Sequence, residues 1–418
     1  MVEKWKALDL GEWNESRRRG LEDVRDRVES IVEGIRRGGD EALLRYTREL
    51  DGQEIQDPLV ARERIERAYD EVSPQLMRAL EEASERIERF HRLQMNEKDW
   101  TMEVWPGVHL GMRWTPLRRV GAYIPGGRAS YPSTALMCVL PPKVAGVEQV
   151  LACTPPPVQP ATLVALDMAG ADRIYQIGGA QAVAAMVLGT ESVVRVDKVV
   201  GPGNLYVTAA KVILSGQVEI DFPAGPSEIV VVADQTADPA LVASDIMAQC
   251  EHDPSAACAL VSMDRDLPDL VWEEIEGALP HAARREIIER SLSNCGYLIV
   301  EDLDGAMGAA NRMAPEHLSI QTRDPESVLE MVRDAGAVFL GSRSAVACGD
   351  YGSGTNHVLP TAGNARLRSG LDVFHFLKRC TVQRLEPEGL EGMGDMVETL
   401  AGAEGLGEHA RSVSLRRR

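Results

Sequence analysis

The chain has 418 residues, and its 45 lysines and arginines against 64 aspartates and glutamates give it a formal charge of −19. Such a negative balance does not attract a phosphate backbone, so we exclude a general nucleic-acid binder. The length suggests about two to four domains. Hydrophobic residues at 44% and charged residues at 26% are typical of a globular chain with a sizeable core.

The N-terminus and the cysteines indicate where the chain resides. It begins MVEKWK, without a basic stretch followed by an apolar one, and no apolar run of about 20 residues is free of charge and proline. We therefore expect neither secretion nor a membrane span. The seven cysteines are an odd number without a Cys-x-x-Cys pair, which argues against a disulfide framework and a four-thiolate zinc site. A cytoplasmic location fits best.

The first hundred residues carry helical patterns. Apolar residues keep helical spacing from Leu21 to the glycines at 38–39, and a second apolar stripe follows the cap at Ser73. We assign 1–115 to an N-terminal, mainly helical region.

After Pro116, short apolar runs alternate with stretches of helical length, which predicts a mostly parallel sheet flanked by helices. The predicted strands are 120–124, 150–153, 174–177 and 198–200 in a first series, and 229–233, 259–262, 298–300, 318–321 and 338–340 in a second. We expect one α/β unit over 116–225 and another over 226–365. The remaining segment, 366–418, is a tail whose polar, glycine-rich sequence from Thr381 is typical of a frayed terminus.

Several polar side chains could hold a metal. Gln249 and His252 lie at positions i and i+3 near the end of a helix predicted from Pro239, where a histidine could also simply interact with the helix dipole. Asp350 lies in a glycine-rich loop, and His409 lies in the tail. Together they are an N/O ligand set of the kind that divalent zinc accepts.

Candidate acid/base residues come in the same half of the chain. Glu316 and His317 are adjacent just before a predicted strand, so their side chains point in different directions and suit two separate acid/base tasks. A surface loop without a catalytic role could contain the same adjacent pair. In the loop over 348–357, small residues let the backbone fold tightly around Asp350 and His357.

Three glycine-rich turns, at 124–127, 177–181 and 201–204, each follow a predicted strand, where open α/β sheets bind ligands. None reads Gly-x-Gly-x-x-Gly, so a dinucleotide there would be loosely held and exchangeable. Plain strand-to-helix turns would give the same patterns.

Six motifs then occur in one order. They are RVGAYIPGG at 119–127, GPGN at 201–204, PAGPSE at 223–228, QCEH at 249–252, PEHL at 315–318 and GTNHVLPT at 354–361. With these motifs the chain resembles the histidinol dehydrogenase family over essentially its whole length, most weakly in the first hundred residues. The resemblance implies oxidation of L-histidinol to L-histidine through L-histidinaldehyde with two NAD+, the last two steps of histidine biosynthesis.

The resemblance also implies an architecture and a set of site residues. It implies two incomplete Rossmann-like parallel-sheet units in a homodimer, with an extended C-terminal tail exchanged between subunits. The implied zinc ligands are Gln249, His252, Asp350 and the partner subunit's His409. The implied bases are His317, for the alcohol and hydrate protons, and Glu316, for water. The implied NAD contacts are Tyr123, Gln181 and Asn204. The implied substrate contacts are Ser133, Ser227, His317, His357, Glu404 and the four implied zinc ligands.

The chain departs from the family pattern at few positions, and few alternative functions fit its motifs. Cys250 and Cys348 stand beside presumed ligands where the family more often has small residues, and we expect both to fill space. Related zinc dehydrogenases that act on another alcohol, such as a sulfonated propanediol, are an alternative. They tend to lack the PEHL motif and the motif at 350–357, which are both intact here. A zinc hydrolase would use Glu316 on water without a nicotinamide. An inactive binding homologue is disfavoured by the intact ligand and acid/base residues.

Overall fold

The computed structural model describes residues 4–17, 20–95, 99–126 and 130–417; Gly127 of the first glycine-rich turn lies outside them. The N-terminal elements are β1 (Lys6–Ala7), α1 (Leu10–Ser16), α2 (Leu21–Asp51), α3 (Arg62–Glu71), α4 (Pro74–Gln94), β2 (Trp100–Trp105) and β3 (Val108–Pro116). Ser73 caps α4 as expected, by accepting a hydrogen bond from the Leu76 N–H at 3.2 Å. Helix α2 continues past the predicted stop, but Gly39 takes a left-handed φ of 48° and kinks it.

The first parallel sheet comprises five strands with helices between them. Its elements are β4 (Arg119–Tyr123), α5 (Pro132–Ala145), β5 (Gln149–Cys153), α6 (Pro160–Met168), β6 (Arg173–Tyr175), α7 (Gly179–Leu188), β7 (Lys198–Val200), α8 (Leu205–Leu214) and β8 (Glu219–Ile220). The strand order is β6-β5-β4-β7-β8, with every pair parallel. The winding therefore reverses between β4 and β7, a topological switch point of the kind that binds ligands.

The second sheet has the same order with one strand added. Its elements are β9 (Glu228–Ala233), α9 (Pro239–Cys250), β10 (Ala257–Ser262), α10 (Leu267–Ala278), α11 (Arg285–Ser291), β11 (Gly296–Ile299), α12 (Leu303–Met313), β12 (His317–Gln321), α13 (Pro325–Leu329), β13 (Ala337–Leu340) and α14 (Val346–Tyr351). The order is β1-β11-β10-β9-β12-β13, all parallel, with β1 at the edge beside β11. The predicted α/β architecture is confirmed.

The tail is ordered, although its polar, glycine-rich composition is of a kind that is usually frayed. It folds as β14 (Leu377–Leu385), α15 (Pro387–Ala403) and α16 (Gly407–Ser414). Strand β14 pairs antiparallel with β3, which pairs with β2, and this third sheet was not predicted. Near the end of the chain, Arg417 reaches back to Glu391 at 2.9 Å and to Asp395 at 2.7 Å on α15. Pairing and charge together hold the tail.

Both parallel sheets are buried on their two faces, and their strands are almost wholly apolar. Within the described ranges, no helix has both the length and the apolar character needed to span a membrane. All seven cysteines lie in those ranges, and each is a free thiol, as the sequence predicted.

A buried ion pair supports the turn that follows β7. Lys211 on α8 pairs with Asp221, and both side chains are almost completely buried. The Lys211 ammonium also donates to the Gly201 carbonyl at 3.0 Å, while Asp221 accepts from the Gly201 N–H at 2.8 Å. The pair therefore fixes both peptide groups of the residue that starts the turn.

We expect Lys211→Met to lower stability by about 3–5 kcal/mol, because it leaves the Asp221 carboxylate buried without its partner. Adding Asp221→Asn should restore much of the loss, since that double variant buries no net charge. The matched control is Glu148→Gln, which breaks the exposed Arg118–Glu148 pair and should cost less than about 1 kcal/mol. Calorimetric unfolding measures all three, and equal effects of Lys211→Met and Glu148→Gln would contradict this account.

Candidate active site

His317 lies at the amino edge of the second sheet, as the first residue of β12, and it is buried. Its Nδ1 lies 3.1 Å from the carbonyl oxygen of Glu228, which places the ring proton on Nδ1 and leaves a lone pair on Nε2. Among the described residues that Nε2 has no hydrogen-bond partner. Burial, with the imidazoles of His252 and His357 nearby, lowers the pKa of His317 to about 3. The ring is therefore neutral at physiological pH and can accept a proton at Nε2.

Glu316 is buried beside His317, and its Oε2 lies 3.7 Å from the imidazole Nδ1. It exchanges hydrogen bonds with Glu228: Glu316 Oε2 accepts from the Glu228 N–H at 2.9 Å, and Glu228 Oε1 accepts from the Glu316 N–H at 3.2 Å. Burial, joined by the charges of Glu228 and Asp350, raises the pKa of Glu316 well above its ordinary value. A carboxylate with a raised pKa is a stronger base.

Beneath this pair lies a residue that the sequence did not reveal. Arg17, which follows α1, forms a buried ion pair with Glu228. Its guanidinium also donates to the carbonyl groups of Met313 at 3.0 Å and Trp13 at 3.2 Å. Glu228 lay inside the motif at 223–228, but nothing in the sequence marks Arg17, because its partner is 211 residues away. The N-terminal region thus helps to position Glu316.

Asp350 and His357 approach the same point from α14 and the loop after it. Asp350 is buried, and its Oδ1 lies 3.8 Å from His317 Nε2. Burial raises the pKa of Asp350 to about 6. His357 Nδ1 donates to the Asp350 carbonyl at 2.8 Å, and its Nε2 lies 3.2 Å from the hydroxyl of Thr134. Thr134 was missed in the sequence; it adjoins the half-buried Ser133 in the first turn of α5.

Gln249 and His252 come from the end of α9. The helix ends at Cys250, so His252 lies in the following turn and not in the last helical turn as expected; its N–H still donates to the Gln249 carbonyl at 3.3 Å. Gln249 is buried, and its Nε2 has no hydrogen-bond partner within the described residues. His252 is exposed in the single chain, although desolvation by surrounding atoms lowers its pKa. Helix α14 packs on α9, which brings Asp350 towards both.

These residues fit a zinc ion. Gln249 has a buried amide whose Nε2 lacks a partner among the described residues, and rotating this amide by half a turn presents its oxygen, the atom that can ligate zinc, at the same place. His252 offers a neutral imidazole. Asp350 offers a carboxylate whose pKa burial alone raises. Nitrogen and oxygen donors suffice for zinc, and such a set needs a fourth ligand.

The tail residues lie elsewhere in the single chain. Glu404 follows α15 and His409 lies on α16, and both are exposed. Within the described ranges, His252, Asp350 and His409 do not form a group with ligand atoms in mutual reach of one metal ion. Ser227, half-buried, immediately precedes β9 at the amino edge of the second sheet.

The candidate cofactor residues lie at the carboxyl edge of the first sheet. Tyr123 ends β4, and its hydroxyl accepts a hydrogen bond from the Gly179 N–H at 3.1 Å. Gln181 is fully buried on α7; its Nε2 donates to Asp51 at 3.1 Å, and its Oε1 has no partner in the described part of the chain. Asp51, the last residue of α2, was missed in the sequence; burial raises its pKa to about 6.

The turn after β7 completes this edge. Asn204 is exposed and caps α8, accepting from the N–H groups of Tyr206 at 3.0 Å and Val207 at 3.1 Å. Gly201 has φ of 112°, and a Cβ there would lie 2.1 Å from the Tyr123 carbonyl oxygen, so only glycine allows the turn to approach β4. The open backbone and the Gln181 Oε1, which has no partner among the described residues, fit a dinucleotide at this switch point.

Comparison with known proteins shows the family of the chain. The family model described as histidinol dehydrogenase matches residues 14–417. The chain belongs to the histidinol dehydrogenase family. It is 50% identical to a histidinol dehydrogenase of Methanothermobacter thermautotrophicus over 98% of this chain and 96% of that one, and 49% identical to that of Methanosarcina mazei over 96% and 94%. The crystal structure of histidinol dehydrogenase from Elizabethkingia anophelis, 36% identical, superposes with a TM-score of 0.94 over 99% of this chain and 98% of that chain.

The buried Asp350 predicts a pH-dependent stability of the metal-free protein. Its pKa is about 6 in the fold against an ordinary 3.8, so stability that is present below about pH 4 is lost as the pH rises through 6. A shift of about two units corresponds to about 3 kcal/mol at most. Metal-free Asp350→Asn should therefore unfold at a higher temperature than metal-free wild type at pH 8, with the difference shrinking towards pH 4.

The matched control is Asp70→Asn, at an exposed position. Adding zinc should raise the melting temperature of the wild type and of Asp70→Asn more than that of Asp350→Asn. A difference between Asp350→Asn and wild type that does not change with pH would refute the assignment of this carboxyl.

Proposed function

We propose that Gln249, His252, Asp350 and the partner subunit's His409 hold zinc, and that Glu316 and His317 perform the proton transfers. As a member of its family the chain is an NAD-dependent oxidoreductase with histidinol dehydrogenase activity, an enzyme of histidine biosynthesis. The observation that carries the proposal is the convergence of Glu316, His317 and Asp350 at one buried corner.

In this proposal the second sheet supplies most of the substrate contacts and the first sheet supplies the cofactor contacts. Zinc, when bound, supplies a Lewis acid that fixes the imidazole and amino nitrogens of L-histidinol. NAD+, when bound against Tyr123, Gln181 and Asn204, supplies the hydride acceptor for both oxidations. The remaining contacts to the substrate are assigned to Ser133, Ser227, His357 and the partner subunit's Glu404. His317 Nε2, facing Asp350, lies within reach of a substrate held there.

The two bases divide the work between two oxidations at one carbon. In the first, neutral His317 takes the proton of the alcohol at Nε2 as hydride leaves the carbon, and L-histidinaldehyde results. In the second, Glu316 takes a proton from the water that adds to the aldehyde, and His317 takes the proton of the hydrate. Burial keeps His317 neutral and makes Glu316 more basic, so both groups suit these tasks.

The exposed apolar surface supports a homodimer with shared sites. Large apolar side chains stand exposed along the antiparallel sheet and the tail helices; they include Trp100, Met102, Trp105, Met396, Leu400, Leu406 and Leu415. Several large apolar side chains exposed to water on the same elements are typical of a protein interface. Glu404 and His409 lie on the same exposed tail, where a partner could receive them.

The rival activities separate on substrate and cofactor. A zinc hydrolase is no longer a candidate, because the family consists of NAD-dependent oxidoreductases. The sibling enzyme for a sulfonated propanediol would reduce NAD+ with that alcohol and not with L-histidinol. We expect two NADH per L-histidinol consumed, measured by NADH absorbance with each alcohol in turn. Reduction with the propanediol alone would overturn the substrate assignment.

The division of labour is tested in half-reactions. Glu316→Gln should slow aldehyde oxidation by about 10²–10⁴-fold and alcohol oxidation much less, whereas His317→Ala should slow both. Stopped-flow NADH formation from L-histidinol and from L-histidinaldehyde separates the steps. The control is Glu326→Gln, at an exposed position on α13. Equal losses in both half-reactions for Glu316→Gln would refute the division.

Glu228 should tune the pH dependence of Glu316. Its charge raises the pKa of Glu316, so Glu228→Gln should lower that pKa, and the freed Arg17 cation should lower it further. The acid limb of aldehyde oxidation should then move to lower pH, as read from kcat/KM profiles. A shift to higher pH, in a variant shown by circular dichroism to be folded, would count against this coupling.

Shared sites predict complementation between two inactive variants. Glu316→Gln damages the body of the subunit, and His409→Ala damages the donated tail. In a random mixture about half the dimers are mixed, and each has one site with both lesions and one with neither. Activity should therefore recover to about a quarter of wild type after co-refolding. Verified heterodimers without activity would show that His409 serves its own chain.

A further inference from the structure

Three cysteines converge inside the second unit, and one of them, Cys250, directly follows the proposed ligand Gln249 in the chain. Cys250 ends α9, Cys258 lies in β10, and Cys295 precedes β11; all three are buried. The Sγ atom of Cys250 lies 3.6 Å from each of the other two, and all three lie within 4.8 Å of one another. In the described residues this is the one group of three metal-ligating side chains that lie so close.

These spacings suit a metal centre. A tetrahedral ion with metal–sulfur bonds of about 2.3 Å holds neighbouring sulfurs about 3.8 Å apart, which is close to the 3.6 Å from the Cys250 Sγ to each of the other two sulfurs. We propose that Cys250, Cys258 and Cys295 form a second metal site, for a thiophilic cation such as Zn²⁺ or Cu⁺. Binding forms three metal–sulfur bonds and releases three thiol protons to solvent.

A cavity gives the ion a way in. A space of about 650 Å³ reaches Cys295 and is lined by four cationic residues, Lys4, Lys6, Arg285 and Arg290, and by two carboxylates, Glu286 and Glu289. Because the cations outnumber the carboxylates in this lining, it opposes the surplus negative charge of three thiolates around a divalent ion. In the metal-free protein the Cys295 thiol donates to the carbonyl of Ser291 at 3.3 Å, and metal binding replaces this hydrogen bond when the thiol proton is released. An entry path and converging ligand atoms are what a workable metal site requires.

Ordinary packing is the alternative, because buried cysteine often serves as a small apolar residue. Cys138 and Cys153 show that use in this chain: both are fully buried in the cores around the first sheet, outside the cysteine cluster. They supply matched controls for the cysteine cluster.

The test is zinc K-edge absorption on the full-length protein carrying Cys348→Ser and Cys380→Ser, which removes the exposed thiols. With two equivalents of zinc we expect a sulfur shell at about 2.3 Å beside nitrogen and oxygen at about 2.0–2.1 Å. Nitrogen and oxygen alone would overturn the cysteine site and leave the catalytic assignment intact. A parallel anaerobic titration with Cu⁺ shows which ion the site prefers.

Variants in the same background measure stoichiometry. Cys258→Ala and Cys295→Ala should each lose one equivalent of bound zinc by elemental analysis, together with the sulfur shell, whereas Cys153→Ala should lose neither. Circular dichroism checks that each variant is folded. If the cluster variants do not fold, the absorption spectrum of the parent protein decides by itself. Unchanged zinc content in folded Cys258→Ala and Cys295→Ala would overturn the proposal.

Discussion

Arg17 and Glu228 form a buried ion pair, and this pair supports the position of Glu316 and His317. Removing such charges from water costs several kcal/mol for each ion, which only close pairing and further hydrogen bonds offset. Arg17 meets that condition with two backbone carbonyls, and Glu228 meets it with the N–H of Glu316. The exchange of hydrogen bonds between Glu228 and Glu316 then fixes where β12 begins, and so where His317 points.

The two parallel sheets repeat one strand order but use opposite edges. The first sheet offers the carboxyl ends of β4, β6 and β7, as open α/β sheets commonly do. In the second sheet the functional residues lie at the amino ends of β9 and β12. Polar residues of α9 and α14 lie at the same edge. The Thr134–His357 contact joins these edges. Equal topology therefore does not imply an equal position of the functional residues.

The sequence was sufficient for the parallel sheets, because buried parallel strands are continuous apolar runs between glycines and prolines. Predicted strands such as 198–200 match the observed ones within a few residues. The antiparallel sheet was not predicted because β14 is mostly polar and exposed. Strand β2 does alternate apolar and polar residues, as WTMEVW, but it is only six residues long and lies in a region whose other patterns are helical. The sequence also did not reveal three polar residues near the candidate sites, Arg17, Asp51 and Thr134. Each of them contacts a residue more than a hundred positions away in the chain.

The separation of the two edges has a consequence for a reaction that uses its cofactor twice. The residues assigned to the substrate lie mainly on elements of the second sheet, and those assigned to the dinucleotide lie on the first. A spent nicotinamide can then depart from the loose turns after β4 and β7 while the reactive aldehyde stays anchored. With the residues assigned in this way, the proposed site has a structural basis for two oxidations in succession without release of the aldehyde.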